Sequence, residues 1–136
     1  MEVFFYGLFM DQEILRENGV NPKNPRTAYL DNYELKIGER ASLIQSEDQR
    51  SYGVLMELDP QDLDLLYSEA SVADYKPEKV EVILGNGKAV SAYCYNLPKE
   101  VISGTNKEYA LKLLELTKKL DFPLKYLSKI EQMSEK

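Results

Sequence analysis

The sequence contains no histidine. Ser-His-Asp triads, Cys-His pairs and histidine-ligated metals are thereby excluded, since each needs an imidazole. A single cysteine, Cys94, allows neither an internal disulfide nor a four-cysteine zinc site. Positive charge is scarce: 17 Lys and Arg stand against 23 Asp and Glu, a formal charge of −6. That balance argues against a nucleic-acid partner, which is bound through clustered Lys and Arg. The four arginines (Arg16, Arg26, Arg40, Arg50) all lie in the first half, and the Lys-rich stretch from Lys118 to Lys129 reads as solvated helix faces. No apolar run approaches the roughly 18 residues of a membrane span. The opening, Met1 to Tyr6, lacks the basic region and long apolar core of a signal peptide. With one free thiol, the cytoplasm is the default expectation. Acid–base chemistry here falls to a carboxylate, a tyrosine or a lysine.

What is present is ordinary globular material. The chain has 136 residues, 43% hydrophobic and 29% charged. That length predicts one domain, residues 1–136, able to bury a core without a disulfide or metal. Val3-Phe4-Phe5-Tyr6 reads as a buried strand before Gly7, and Asp11 to Asn18 as a short capped helix ended by Gly19. Asn21-Pro22-Lys23-Asn24-Pro25 is turn chemistry. Short strands are expected at Ala28–Leu30, Tyr33–Ile37, Ser42–Gln45 and Tyr52–Leu58. Asp59-Pro60 opens a helix whose stripe is Leu63, Leu66, Tyr67 and Ala70. Lys79–Leu84 and Lys88–Tyr95 flank Asn86-Gly87, a strong hairpin signal. Thr105 and Glu108 have capping-box spacing for a helix to about Leu120. Pro123 breaks it, and a last helix covers Leu124 to Met133. Six or seven strands without regular strand–helix alternation, plus three or four helices, indicate an α+β fold with a mostly antiparallel sheet, curled into a barrel.

Four features carry candidate chemistry. The junction Tyr6-Gly7-Leu8-Phe9-Met10-Asp11 leaves backbone N–H groups unpaired, a cradle for a carboxylate or phosphate; locally, a plain turn is the simpler reading. Glu69 is expected in the last helical turn, bordering the apolar stripe. Burial and the dipole there would raise its pKa toward that of a general base; a solvated helix-end glutamate is the competing reading. Ten tyrosines include Tyr93 and Tyr95 on one strand face, and Tyr109 in the first turn of a capped helix; most buried tyrosines are core residues. Arg40 offers a carboxylate clamp, against the commoner surface arginine. Cys94, without an imidazole partner, reads as a small core residue.

In order along the chain, these segments resemble the gamma-glutamylcyclotransferase-like family. Phe4-Phe5-Tyr6-Gly7-Leu8-Phe9-Met10 is similar to its first strand and Tyr-Gly-Ser/Thr loop. Tyr52 to Asp59 is similar to its central Gly-Val strand. Leu65-Leu66-Tyr67-Ser68-Glu69-Ala70-Ser71-Val72 and the following Tyr75 resemble its Leu-Asp-x-x-Glu-Gly-Val helix end and tyrosine. Tyr109 and Phe122-Pro123-Leu124-Lys125-Tyr126-Leu127 resemble its C-terminal tyrosine and Leu-Pro-x-x-Tyr pattern.

The resemblance implies a small barrel flanked by helices with a cavity beside the Tyr6-Gly7 loop. It implies cleavage of gamma-glutamyl amides, in which the substrate's own alpha-amine attacks its gamma-carbonyl and releases 5-oxoproline. Glu69 would be the general acid–base. Phe5, Tyr6, Gly7, Leu8, Phe9 and Tyr109 would bind the substrate. Neither metal nor cofactor is implied, because the nucleophile arrives with the substrate. The expected partner is a small gamma-glutamyl molecule, not nucleic acid or membrane. Two departures stand out: Leu8 replaces the family's Ser or Thr, and Ala70 replaces Gly. Leu8 keeps open an alternative, a catalytically silent member that binds a small acidic metabolite or a protein.

Overall fold

The structure is a computed structural model and describes residues 1–70 and 72–135. Ser71, part of the Leu65–Val72 motif, lies outside the described residues.

The first apolar run is a strand, β1 (Glu2–Phe5), buried from Val3 onward. After a 3-10 turn at Leu8–Met10 comes α1 (Gln12–Glu17), capped by Asp11, whose carboxylate accepts from the Glu13 N–H at 3.0 Å. The next two strands are long: β2 (Lys23–Ile37) and β3 (Ala41–Glu57). The sequence predicts four short strands and a turn at Asn21–Pro25 in their place. The difference has a physical cause. Asn24, Asn32 and Asp48 take φ of 52°, 67° and 64°, and the β2–β3 register slips between Lys23 and Arg26 and between Asp31 and Tyr33. Short polar side chains tolerate the left-handed region, so residues that punctuate turns elsewhere make irregularities within one long hairpin here.

Helix α2 (Pro60–Leu66) buries Leu63 and Leu66. It stops earlier than its apolar stripe predicts. The Ser68 hydroxyl donates to the Leu65 carbonyl at 2.8 Å, and Tyr67 caps the end. Strands β4 (Lys76–Leu84) and β5 (Ala89–Asn96) form the hairpin expected at Asn86-Gly87, where Gly87 has φ of 86°. Helices α3 (Lys107–Lys119) and α4 (Leu124–Ser134) close the chain. The N-cap of α3 is Asn106, one residue past the predicted Thr105: its Oδ1 accepts from the Tyr109 N–H at 3.0 Å.

The strands close into a barrel in the order β1-β3-β2-β4-β5. All pairings are antiparallel except the seam, where β1 meets β5 in parallel at Val3 and Tyr93. The α+β, mostly antiparallel barrel read from the sequence is thus the observed architecture, with five strands rather than six or seven. Leu43, Leu55, Val82 and Cys94 lie in its core, so Cys94 is the small core residue expected. Burial pushes its thiol pKa well up. On the outside, Phe122 and Tyr126 pack their rings against Tyr52, 5.8 and 5.1 Å between centroids. β1 lies so close on β3 that a Cβ at Gly53 would meet the Phe4 ring at 2.6 Å and the Phe5 carbonyl. That contact fixes where β1 delivers the Tyr6-Gly7 loop. Among the described residues, no helix is long and apolar enough to cross a membrane.

Candidate active site

Leaving the barrel, β1 hands the chain to Tyr6, whose hydroxyl donates to the Tyr95 carbonyl on β5 at 2.7 Å. The backbone then turns tightly. The Met10 and Asp11 N–H groups donate to the carbonyls of Gly7 and Leu8, both at 3.0 Å. The Leu8 N–H is aimed elsewhere: it donates to the Tyr109 hydroxyl at 3.4 Å. Tyr109 reaches this point because Asn106 caps α3 and sets its first turn. The approach is close enough that a Cβ on Gly7 would overlap the Tyr109 hydroxyl oxygen. Glycine is needed here for space.

Around this loop lies a cavity of about 360 Å³, within the usual size range of small-molecule sites. Its walls include Phe5, Tyr6, Gly7, Leu8, Phe9 and Tyr109, the substrate-binding candidates from the sequence. Tyr67, Tyr75 and Tyr95 complete an aromatic lining. Phe5 meets Phe9 edge-on at 6.1 Å, Phe9 meets Tyr67 in the same way at 6.1 Å, and Tyr67 stacks on Tyr95 at 4.0 Å. The Tyr75 hydroxyl donates to the Ala41 carbonyl at 2.6 Å. Glu39 and Arg40 bring charge to the wall from the loop between β2 and β3. That loop is tied to the start of α3: the Glu39 N–H donates to the Ser103 carbonyl at 2.7 Å, and the Asn106 amide donates to the Glu39 carbonyl at 3.1 Å. Asn106 therefore holds both the loop bearing Arg40 and the turn bearing Tyr109.

Burial pushes the phenol pKa values of Tyr6, Tyr67, Tyr75 and Tyr109 up. All four stay protonated near neutrality and can donate a hydrogen bond, but none is poised as a base. Glu69 sits two residues beyond the α2 cap, on the turn between Tyr67 and Val72, both of which line the cavity. Its carbonyl accepts from the Val72 N–H at 3.0 Å. It is exposed. The expectation that it lies half-buried in the last helical turn is corrected: α2 ends at Leu66 with Tyr67 as its cap, so Glu69 lies beyond the helix on an exposed turn.

In the sequence Arg40 looks more like a surface residue than a clamp, and nothing there marks Tyr67, Tyr75 or Ile14 as lining. These side chains come from α1, the loop between β2 and β3, the end of α2 and the residue before β4, and no sequence spacing relates them. A larger depression of about 530 Å³ lies over β2, β3 and β4, lined by Asp31, Glu47, Lys79 and Glu81 among others. It is open and holds none of the candidate residues, so the aromatic cavity is the better site.

Residues 3–114 match the family described as gamma-glutamyl cyclotransferase, AIG2-like, and the chain belongs to that family. Solved structures agree on the fold. One described as a gamma-glutamyl cyclotransferase aligns with a TM-score of 0.79 at 18% identity, covering 98% of this chain and 87% of its own. An uncharacterized protein from Homo sapiens aligns with a TM-score of 0.77 at 20% identity, covering 97% and 86%. An AIG2-like protein from Mus musculus aligns with a TM-score of 0.61 at 15% identity, covering 79% and 88%. At these identities the likeness concerns the fold. Among curated protein sequences, none matches this chain.

Proposed function

We propose that this chain is a cyclotransferase that releases 5-oxoproline from a gamma-glutamyl amide. The reading rests on one juxtaposition: the Tyr6-Gly7-Leu8 backbone and the Tyr109 hydroxyl share a cavity with the two residues that flank the Glu69 turn. In this account the substrate's polar head lies against the 6–8 backbone, between Phe5 and Phe9, with Tyr109 closing over it. Glu69 takes a proton from the alpha-ammonium. The freed amine attacks the gamma-carbonyl carbon, a new C–N bond closes the five-membered ring, and the original amide C–N bond breaks. The proton on Glu69 passes to the leaving nitrogen, and the ring nitrogen then gives up its second proton through the same carboxylate, leaving a neutral lactam and a protonated amine. The reaction needs no external nucleophile, and holding both reacting groups of one molecule in an attack geometry supplies much of the rate. The working location is the cytoplasm and the partner is this small molecule, not nucleic acid or membrane. Incubating the protein with gamma-glutamyl dipeptides and gamma-glutamylamines should release 5-oxoproline from at least one. No release from any would refute the proposal.

One observation supports a second reading, a silent binder of a small acidic metabolite or a protein partner. Leu8 lines the cavity with an apolar side chain, and its N–H is already taken by Tyr109. Leu8→Ser separates the two. In an active enzyme the new hydroxyl adds one hydrogen bond, about tenfold or less in affinity. In a blocked site, opening it should raise binding far more.

A further inference from the structure

The barrel wall has an opening that shares no lining residue with the aromatic cavity. β2 and β4 pair at Ala28–Leu84 and Tyr29–Ile83, and no further among the described residues. Two residues on, the same register would set Asp31 opposite Glu81, and like charges directly opposite weaken a ladder. β2 instead turns off at Asn32, whose φ is 67°. Asp31 stays with β3, where its Oδ1 accepts from the Arg50 Nε at 2.7 Å. The depression of about 530 Å³ lies where the two strands part.

The parting leaves backbone groups of β4 without a strand. The Leu84 N–H donates to the Lys88 carbonyl at 2.9 Å. In an antiparallel ladder the direction alternates from residue to residue. Val82 and Val80 therefore turn their N–H and C=O groups to β5, and Ile83, Glu81 and Lys79 turn theirs toward β2. Ile83 meets Tyr29 there, whereas Glu81 and Lys79 meet no strand among the described residues. Such an edge is a template for an added strand. Its surroundings select the strand. Leu30 and Val80, apolar and buried, line the opening. Glu47 and Glu81 line it too, exposed and in no ion pair among the described residues, against one cation, Lys79. A second copy of this chain, with its charge of −6, is disfavoured. We propose that this edge of β4 receives an extended segment of another protein in which basic and apolar residues alternate. Its backbone pairs with Lys79 and Glu81, its apolar side chains cover Leu30 and Val80, and its Lys or Arg side chains meet Glu47 and Glu81.

Amide exchange and titration by nitrogen-15 NMR test this. In the free protein the Lys79 and Glu81 amides should exchange fast and those of Val80 and Val82 slowly; protected Lys79 and Glu81 amides would overturn the inference. The probe is the end-capped pentapeptide Lys-Val-Lys-Val-Lys. It should shift the Lys79 and Glu81 amides saturably and slow their exchange. Its fully N-methylated analogue keeps the charges but loses the backbone donors, and should bind about fivefold or more weaker. Glu-Val-Glu-Val-Glu should not bind. Glu47→Gln/Glu81→Gln, shown to be folded by circular dichroism, should bind the lysine peptide about threefold or more weaker, and high salt should erase that difference. No binding of the lysine peptide would mean that the carboxylates only guard the edge, and overturns the inference. So does equal binding of the N-methylated peptide, or shifts confined to other residues.

Discussion

Gly7→Ala is the sharpest probe of how the cavity is built. At Gly7 the backbone has φ of −110° and ψ of −151°, which alanine adopts readily. The substitution therefore carries no backbone strain, and its whole effect comes from space. The new methyl would overlap the Tyr109 hydroxyl, while the next ring atom, Cζ, stands clear at 3.7 Å. Relief requires the Tyr109 ring to swing away. That breaks the Leu8 N–H bond, worth about 0.5–1.5 kcal/mol, and adds an overpacking cost of about 1–3 kcal/mol. We expect Gly7→Ala to lose about 2 kcal/mol, a fall in Tm of several degrees for a chain of this length. Tyr109→Phe removes the overlapping oxygen, so alone it should cost only the hydrogen bond. The double variant should be more stable than the two losses summed predict, by about 1 kcal/mol or more. Urea unfolding of all four proteins, followed by circular dichroism, measures the coupling. Additive losses would refute the placement of the Tyr109 hydroxyl over Gly7. Gly53→Ala is the contrasting case: its methyl would meet the Phe5 backbone and the Phe4 ring, so no single side-chain deletion should rescue it.

Asn106→Ala removes the cap of α3 and the tie to the Glu39 carbonyl together. It should cost about 1–2 kcal/mol in chemical denaturation and weaken ligand binding, whereas Thr105→Ala should do neither. Alkaline pH should also act sharply. Burial raises the phenol pKa of Tyr6 and Tyr126 in the folded state above the ordinary value of 10.0. Between the unfolded and folded pKa values the unfolded chain holds fewer protons, so their contribution is complete below pH 10 and is lost as pH rises beyond it. Each of the two removes about 1.4 kcal/mol per pH unit in that window. The phenolate absorbance of the buried tyrosines should therefore appear together with loss of circular dichroism, and a single step near pH 10 covering all ten tyrosines with the circular dichroism intact would contradict this.

Where the fold was legible in the sequence, local signals agreed with the tertiary outcome. The apolar run Val3–Phe5, the Asn86-Gly87 turn and the Pro123 break each appear where the pattern places them. The strand misreadings share one cause. Asn24, Asn32 and Asp48 look like turn residues, and only the pairing of β2 with β3 makes them irregularities inside long strands. The cavity lining was legible at Tyr109 and along one stretch, Phe5 to Phe9, where consecutive residues leave a strand together. The far wall was not. Tyr67, Tyr75 and Tyr95 come from the end of a helix, a turn and a strand, and no spacing rule relates them. Glu69 reads as helical only if α2 runs past Leu66, where it instead ends with Tyr67 as its cap.

The central claim is that Glu69 moves the proton in cyclisation. The direct measurement is 5-oxoproline release by wild type and Glu69→Gln under saturating substrate, with unfolding curves recorded for both. Removing a general acid–base should lower kcat by about 10²–10⁴-fold. The unfolding curves show whether each protein is folded at the assay temperature, so that the loss of rate is read on folded protein. A Glu69→Gln protein that is folded and releases 5-oxoproline at the wild-type rate would contradict the account.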